Sequence, residues 1–167
     1  MLDWLKAVIA RHKASGILVD ANVLLLLLVG SYDRERVARF KNTEKFAPED
    51  FDLLVSLLEQ FDKMVATPHI LAEVSNLAGQ LGEPARSECF GRFSQIIDRT
   101  LEEPAPSAAA AREPIFTRLG LTDAGIARLV VGQYPIITTD STLCDYLLRR
   151  GVDAINFDTF RRLAWTA

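Results

Sequence analysis

The sequence predicts an α/β protein, a three-layer α/β/α sandwich around a central parallel sheet. Three observations carry that expectation. Short β-prone apolar runs recur along the 167 residues, at Ile17-Leu18-Val19, Met64-Val65-Ala66, Pro135 to Thr139 and Ala154 to Phe157. Stretches with helical periodicity or helix-start signals separate them. The runs are apolar nearly throughout instead of alternating, as strands buried on both faces require.

The elements follow in order. Met1 to Ala14 places Leu2, Leu5, Val8 and Ile9 on one side of an amphipathic helix, which Ser15-Gly16 breaks. The first strand ends at Asp20. From Asn22 the leucine run has no polar side, so a helix there must be buried all round. Asp33 to Phe40 reads as a charged helix, and Pro48-Glu49-Asp50 opens another with Phe51, Leu54, Val55, Leu58 and Phe61 as its apolar stripe. After the second strand, Thr67 is an N-cap and Pro68 a first helical residue, predicting a helix to about Gln80. Ala85 to Leu101 reads as a further helix, and Glu103 to Pro114, rich in Pro and Ala, is assigned to no element. A helix is expected from Asp123 with Ile126, Leu129 and Val130 inward. Ser141 to Arg150 forms the next, capped by Gly151, and Ala154 to Phe157 is the last strand.

With 49% apolar and 25% charged residues, the chain has the size and composition of one domain spanning 1–167, with a helical excursion over about 31–62. A net charge of −3 gives little general attraction for nucleic acid, because phosphate binding relies on Lys and Arg displacing counterions. Val23 to Val29 is far shorter than the roughly 20 residues that span a bilayer, so no membrane segment is expected. Cys89 and Cys144 have no ligand-like spacing, and the N-terminus has no secretory pattern; a cytoplasmic location is the expectation.

Ligands of open parallel sheets bind beyond the carboxyl ends of the strands. Asp20 and Asp140 close two strands, Glu73 lies near the start of the helix after another, and Asp123 starts a helix, so all four can face one crevice. Clustered carboxylates repel unless a cation neutralises them, and hard oxygen donors suit Mg²⁺ or Mn²⁺. Two such ions about 4 Å apart would activate water and stabilise the leaving oxygen of a phosphodiester. Asn22, Asn76, Thr138, Thr139 and Ser141 are placed to orient a carboxylate or a metal-held water.

Four segments, Val19-Asp20-Ala21-Asn22-Val23-Leu24, Thr67-Pro68-His69-Ile70-Leu71-Ala72-Glu73-Val74, Leu121-Thr122-Asp123-Ala124 and Ile137-Thr138-Thr139-Asp140, resemble in order and spacing the successive motifs of PIN domains. The resemblance covers most of the chain. It implies a compact α/β/α nuclease with Mg²⁺ or Mn²⁺ on Asp20, Glu73, Asp123 and Asp140, acting on RNA. Many such proteins are VapC-like ribonuclease toxins, which implies an antitoxin protein as partner. Some relatives have a further acid where this chain has Thr142, and this chain is longer than a minimal toxin.

Each acid alone reads equally well as a cap, a turn residue or a solvated helix residue. Asp145 and Asp158 read as surface or capping groups, His12 and His69 have no companion for zinc, and the cysteines read as small core residues. Arg34, Arg36, Arg118 and Arg128 are available for phosphates but receive no individual role. The sparse basic surface makes a homodimer groove a plausible aid to RNA binding. An aspartyl phosphotransferase would need Asp-x-Asp where the chain has Asp20-x-Asn22. A catalytically silent module of the same fold, binding RNA or protein, is the alternative function.

Overall fold

The structure, a computed structural model, describes residues 2–164. Met1, where the first expected helix began, and residues 165–167 of the expected domain lie outside that range. The chain forms a five-stranded parallel sheet between helices, a three-layer α/β/α arrangement.

Helix α1 (Leu2–His12) precedes β1 (Ile17–Val19), whose residues are all buried. β1 passes through Asp20 straight into α2 (Ala21–Tyr32), where the leucine run lies. The predicted all-round burial of this helix holds for Val23 to Leu26, Leu28 and Val29, each fully inaccessible. Its Gly30 lets the next helix close in: a Cβ there would stand 2.2 Å from the Phe51 ring. Helix α3 (Pro48–Leu58) carries that ring and starts at Pro48 as expected. Its buried apolar side chains are Leu54 and Leu57, with Val55 only partly covered.

The charged helix expected from Asp33 to Phe40 is instead one 3-10 turn, Arg34–Arg36, followed by turns. Val37 and Phe40 are both pulled into the core, and the Thr43 hydroxyl donates back to Val37 O at 2.8 Å. A loop pinned from inside replaces the helix.

β2 (Met64–Ala66) leads through Thr67, whose Oγ1 accepts from Ile70 N, into α4 (Pro68–Ala78). Helix α5 (Ala85–Asp98) stops short of the expected Leu101, because β3 (Thr100–Glu102) follows and pairs with β2. This edge strand was not expected. The unassigned stretch crosses back through α6 (Ser107–Ala110) and α7 (Phe116–Leu119) to α8 (Leu121–Val130). Helix α8 begins two residues before Asp123, after a turn in which Gly120 has φ 86°. β4 (Ile136–Thr138), α9 (Ser141–Arg149) and β5 (Ala154–Asn156) come next, with Gly151 at φ 77° after α9. Phe157, expected in the last strand, instead opens α10 (Phe157–Ala164).

The strand order is β3-β2-β1-β4-β5, with Leu18 opposite both Val65 and Ile136. From β1 the chain builds outward to β3, then returns to add β4 on the other side of β1. The switch therefore falls between β1 and β4, and Asp20 and Asp140 follow these two strands. Crevices at such switch points are where open parallel sheets bind ligands. No helix among the described residues is long and apolar enough to cross a membrane.

Candidate active site

Asp20 is the N-cap of α2, only 4% exposed. Its Oδ1 accepts from Ala21 N at 2.6 Å and its Oδ2 from the Thr138 hydroxyl at 2.6 Å. The Thr138 oxygen in turn accepts from Asp140 N at 3.0 Å. One buried hydroxyl thus fixes the ends of β1 and β4 to each other. Asp140 caps α9, its Oδ1 accepting from Thr142 N at 2.7 Å and Leu143 N at 2.9 Å. Thr142, where some relatives of the resembled family have an acid, serves this cap through its backbone.

Glu73 is half-buried on α4, and Asp123 is half-buried in the first turn of α8. α4 and α8 pack together where α8 has a glycine: a Cβ on Gly125 would stand 3.3 Å from His69 Nδ1. The four carboxylates share one electrostatic environment. Burial pushes the Asp123 carboxyl up to about 7, and the charges of Asp20, Asp140 and Glu73 add to the rise. Burial also raises Asp20, against the Thr138 and Ala21 hydrogen bonds, with Glu73 and Asp140 raising it further. The N-termini of α2, α4, α8 and α9 all lie on this side, and the positive ends of these helices offset part of the negative charge.

The flanking polar residues divide. Thr138 is buried between the two aspartates. Asn22 and Thr139 are half-buried beside them, Ser141 is exposed in the first turn of α9, and Asn76 is exposed on α4. Asn156, passed over in the sequence, closes the same end of the sheet: its Nδ2 donates to Ser141 Oγ at 3.1 Å and its Oδ1 accepts from Thr159 N at 3.0 Å. An Asn three residues before the amide it caps, with Asp158 in the next turn, was the available signal.

An all-carboxylate donor set held under mutual repulsion suits a hard divalent cation better than a soft one. In chemistry the residues fit Mg²⁺ or Mn²⁺. They do not form a closed cage as they stand, since no group of three His, Cys, Asp or Glu among the described residues converges on one ion position. Asp20 and Asp140 are held by hydrogen bonds, so closing a coordination sphere falls to rotation of Asp123 and Glu73.

The remaining candidates are engaged elsewhere. His12 Nε2 lies 3.0 Å from Asp153, and His69 Nε2 lies 3.0 Å from Ser107 Oγ. Both thiols are buried, which pushes each to about 11. Arg34 is clamped by Asp52, with Glu35 and Glu49 beside it, and Arg128 pairs with Glu113. Arg36 stacks over Tyr32 with Asp33 3.7 Å away. No family profile matches this chain. No curated protein matches it, and no solved structure does.

Proposed function

We propose that the protein is a divalent-metal-dependent endoribonuclease, as its resemblance to PIN domains implies. The observation that supports this most is the coupling of four carboxylates, from four separate segments, at the switch point between β1 and β4. Helix capping accounts for Asp20 and Asp140 but gives no reason to add Glu73 and Asp123, where each like charge raises the ionisation cost of the next.

Mg²⁺ or Mn²⁺, when bound, supplies the positive charge that activates water and stabilises the departing oxygen of the phosphodiester. Asp20 and Asp140 are the fixed ligands in this reading, each oriented by backbone amides and linked through Thr138. Glu73 and Asp123 are the adjustable ones, free of the caps that hold the first pair. Asn22, Thr139 and Ser141 line the approach and orient water or a phosphate oxygen by hydrogen bonding. Asn76 stands a turn beyond Glu73 on α4.

The test is cleavage of a labelled structured RNA by wild type and Asp140→Asn, each with Mg²⁺, Mn²⁺ or EDTA. Cleavage confined to wild type with metal supports the reading. Equal cleavage by both proteins points to a contaminant, and none by either moves weight to the non-catalytic RNA- or protein-binding module. A toxin role is the narrower form of the same reading; it requires growth arrest on expression that a neighbouring antitoxin relieves and Asp140→Asn abolishes.

A further inference from the structure

A groove of about 510 Å³ runs along β5, walled by α1, α9 and α10. Trp4 and Leu5 of α1, Cys144 and Leu148 of α9, Ile155 of β5 and Phe160 of α10 give it an apolar lining. Trp4 is 41% exposed and Leu148 47% exposed, large apolar side chains left partly open among the described residues.

The direction of α1 decides which end of the groove matters. Its last turn is tied by Arg11 and His12 to Asp153, just before β5, at 2.6 and 3.0 Å. Its first turn, with Trp4, therefore reaches toward the carboxyl end of β5. There the groove is bounded by Ser141 and Asn156, which are hydrogen-bonded to each other. Ser141 follows Asp140 directly in the chain. The aromatic end of the groove and the carboxylate crevice thus lie on either side of one residue.

We propose that this groove receives an unpaired base of the RNA strand, next to the phosphodiester held at the carboxylates, with the Trp4 and Phe160 rings as its stacking surfaces. The inference rests on the nuclease reading and names the form of substrate that reading needs. A phosphate is disfavoured in the groove by its apolar walls and by Asp145, the one charged residue among the described lining residues. A base suits it, being flat and apolar on its faces. A net charge of −3 gives little general attraction for a polyanion, so a contact that salt does not screen adds what charge does not supply. Base stacking on aromatic rings supplies that contact and tolerates any base. The Asn156 amide is engaged at both ends, with Ser141 and with the Thr159 amide, so it is not free to read a base edge. The groove therefore selects single-stranded over double-stranded RNA without a strict sequence preference, because duplex bases keep their faces hidden.

The experiment follows Trp4 fluorescence in the full chain carrying Trp165→Phe, titrated with a short oligoadenylate and with its abasic counterpart, and measures RNA cleavage in parallel. Saturable quenching by oligoadenylate, weaker by about tenfold in affinity for the abasic strand, is expected. Trp4→Ala should raise KM for single-stranded RNA by a similar factor with kcat little changed, and Trp4→Phe should restore it. Absence of quenching overturns the inference whether or not the protein cleaves RNA. Metal-dependent cleavage unaffected by Trp4→Ala overturns it too, and leaves the nuclease reading standing. Base-dependent quenching without metal-dependent cleavage supports the groove and removes the nuclease reading. Self-association that Trp4→Ala abolishes, at unchanged RNA affinity, assigns the groove to a second copy of the chain and overturns the inference.

Discussion

The Thr138 hydroxyl donates to Asp20 Oδ2 at 2.6 Å, across 118 residues of sequence, and both groups are buried. Through the same oxygen it accepts the Asp140 amide, so one side chain sets the relation between the two aspartates that begin α2 and α9.

Thr138→Val keeps the shape and removes the hydroxyl. It leaves a buried carboxylate oxygen unpartnered, which costs about 1 to 3 kcal/mol by urea unfolding. Groups that orient a metal ligand typically change affinity by about 10- to 100-fold, and the Mg²⁺ dependence of cleavage should move up by that range. A variant destabilised but unchanged in its Mg²⁺ requirement would assign Thr138 to folding alone.

The carboxylate cluster makes stability depend on pH. Asp123 ionises near 7 in the folded protein against an ordinary value of 3.8, and Asp20 is also raised. Below the ordinary value both groups are protonated in either state, and their contribution is fully present. As pH rises toward about 7 the unfolded chain releases these protons first, and the contribution is lost. In EDTA, Asp123→Asn should therefore be more stable than wild type at about pH 8, with the gap closing toward about pH 4. Added Mg²⁺ should reverse the order at the higher pH by stabilising wild type more. Parallel pH profiles of the two proteins would remove Asp123 from the cluster.

Much of this site is legible in the sequence because a strand that ends in an acid and runs straight into a helix leaves a local signature. Val19-Asp20-Ala21 and Thr138 to Ser141 both show it. That signature points to Asp20 and Asp140, whereas Glu73 and Asp123 lie within helices and stand out only through their place in the ordered set of motifs. β3 was not legible. Thr100-Leu101-Glu102 has one apolar residue, 37% exposed, and only its pairing to Met64-Val65-Ala66 makes it a strand. The run Asp33 to Phe40 misled in the opposite sense, since its helical composition is overruled by the burial of Val37 and Phe40. Which hydroxyl would bridge Asp20 and Asp140 was equally closed to sequence, because Thr138, Thr139 and Ser141 differ only in where the end of β4 points them.

Gly30 is where α2 admits α3. Alanine would favour an ordinary helix by about 1 kcal/mol, but here its Cβ meets the Phe51 ring at 2.2 Å. Overpacking of this kind costs about 1 to 3 kcal/mol, so Gly30→Ala should be a net loss in thermal unfolding. Combining it with Phe51→Leu should recover part of that loss. Additive effects would mean that the two sites do not meet.

Asp50 anchors α10. It is 1% exposed, accepts from Ala47 N at 2.8 Å at the start of α3, and pairs with Arg161 of α10 at 3.0 Å. Removing one member of a pair this deep costs about 3 kcal/mol. Asp50→Ala should lose about that much in urea unfolding, and Arg161→Ala less, because Arg161 is partly exposed. Equal losses would show that the pair, and not the cap, carries the effect.

The bond between Thr138 and Asp20 also sets a timetable. During synthesis Asp20, Glu73 and Asp123 are all made before β4 exists, and β1 waits with one edge unfilled. Three of the four acids are then in place along the chain, yet the strand whose Thr138 holds Asp20 is still being translated. A prematurely terminated chain therefore lacks the assembled carboxylate cluster, which is complete only when the segment from Ile136 onward docks against β1.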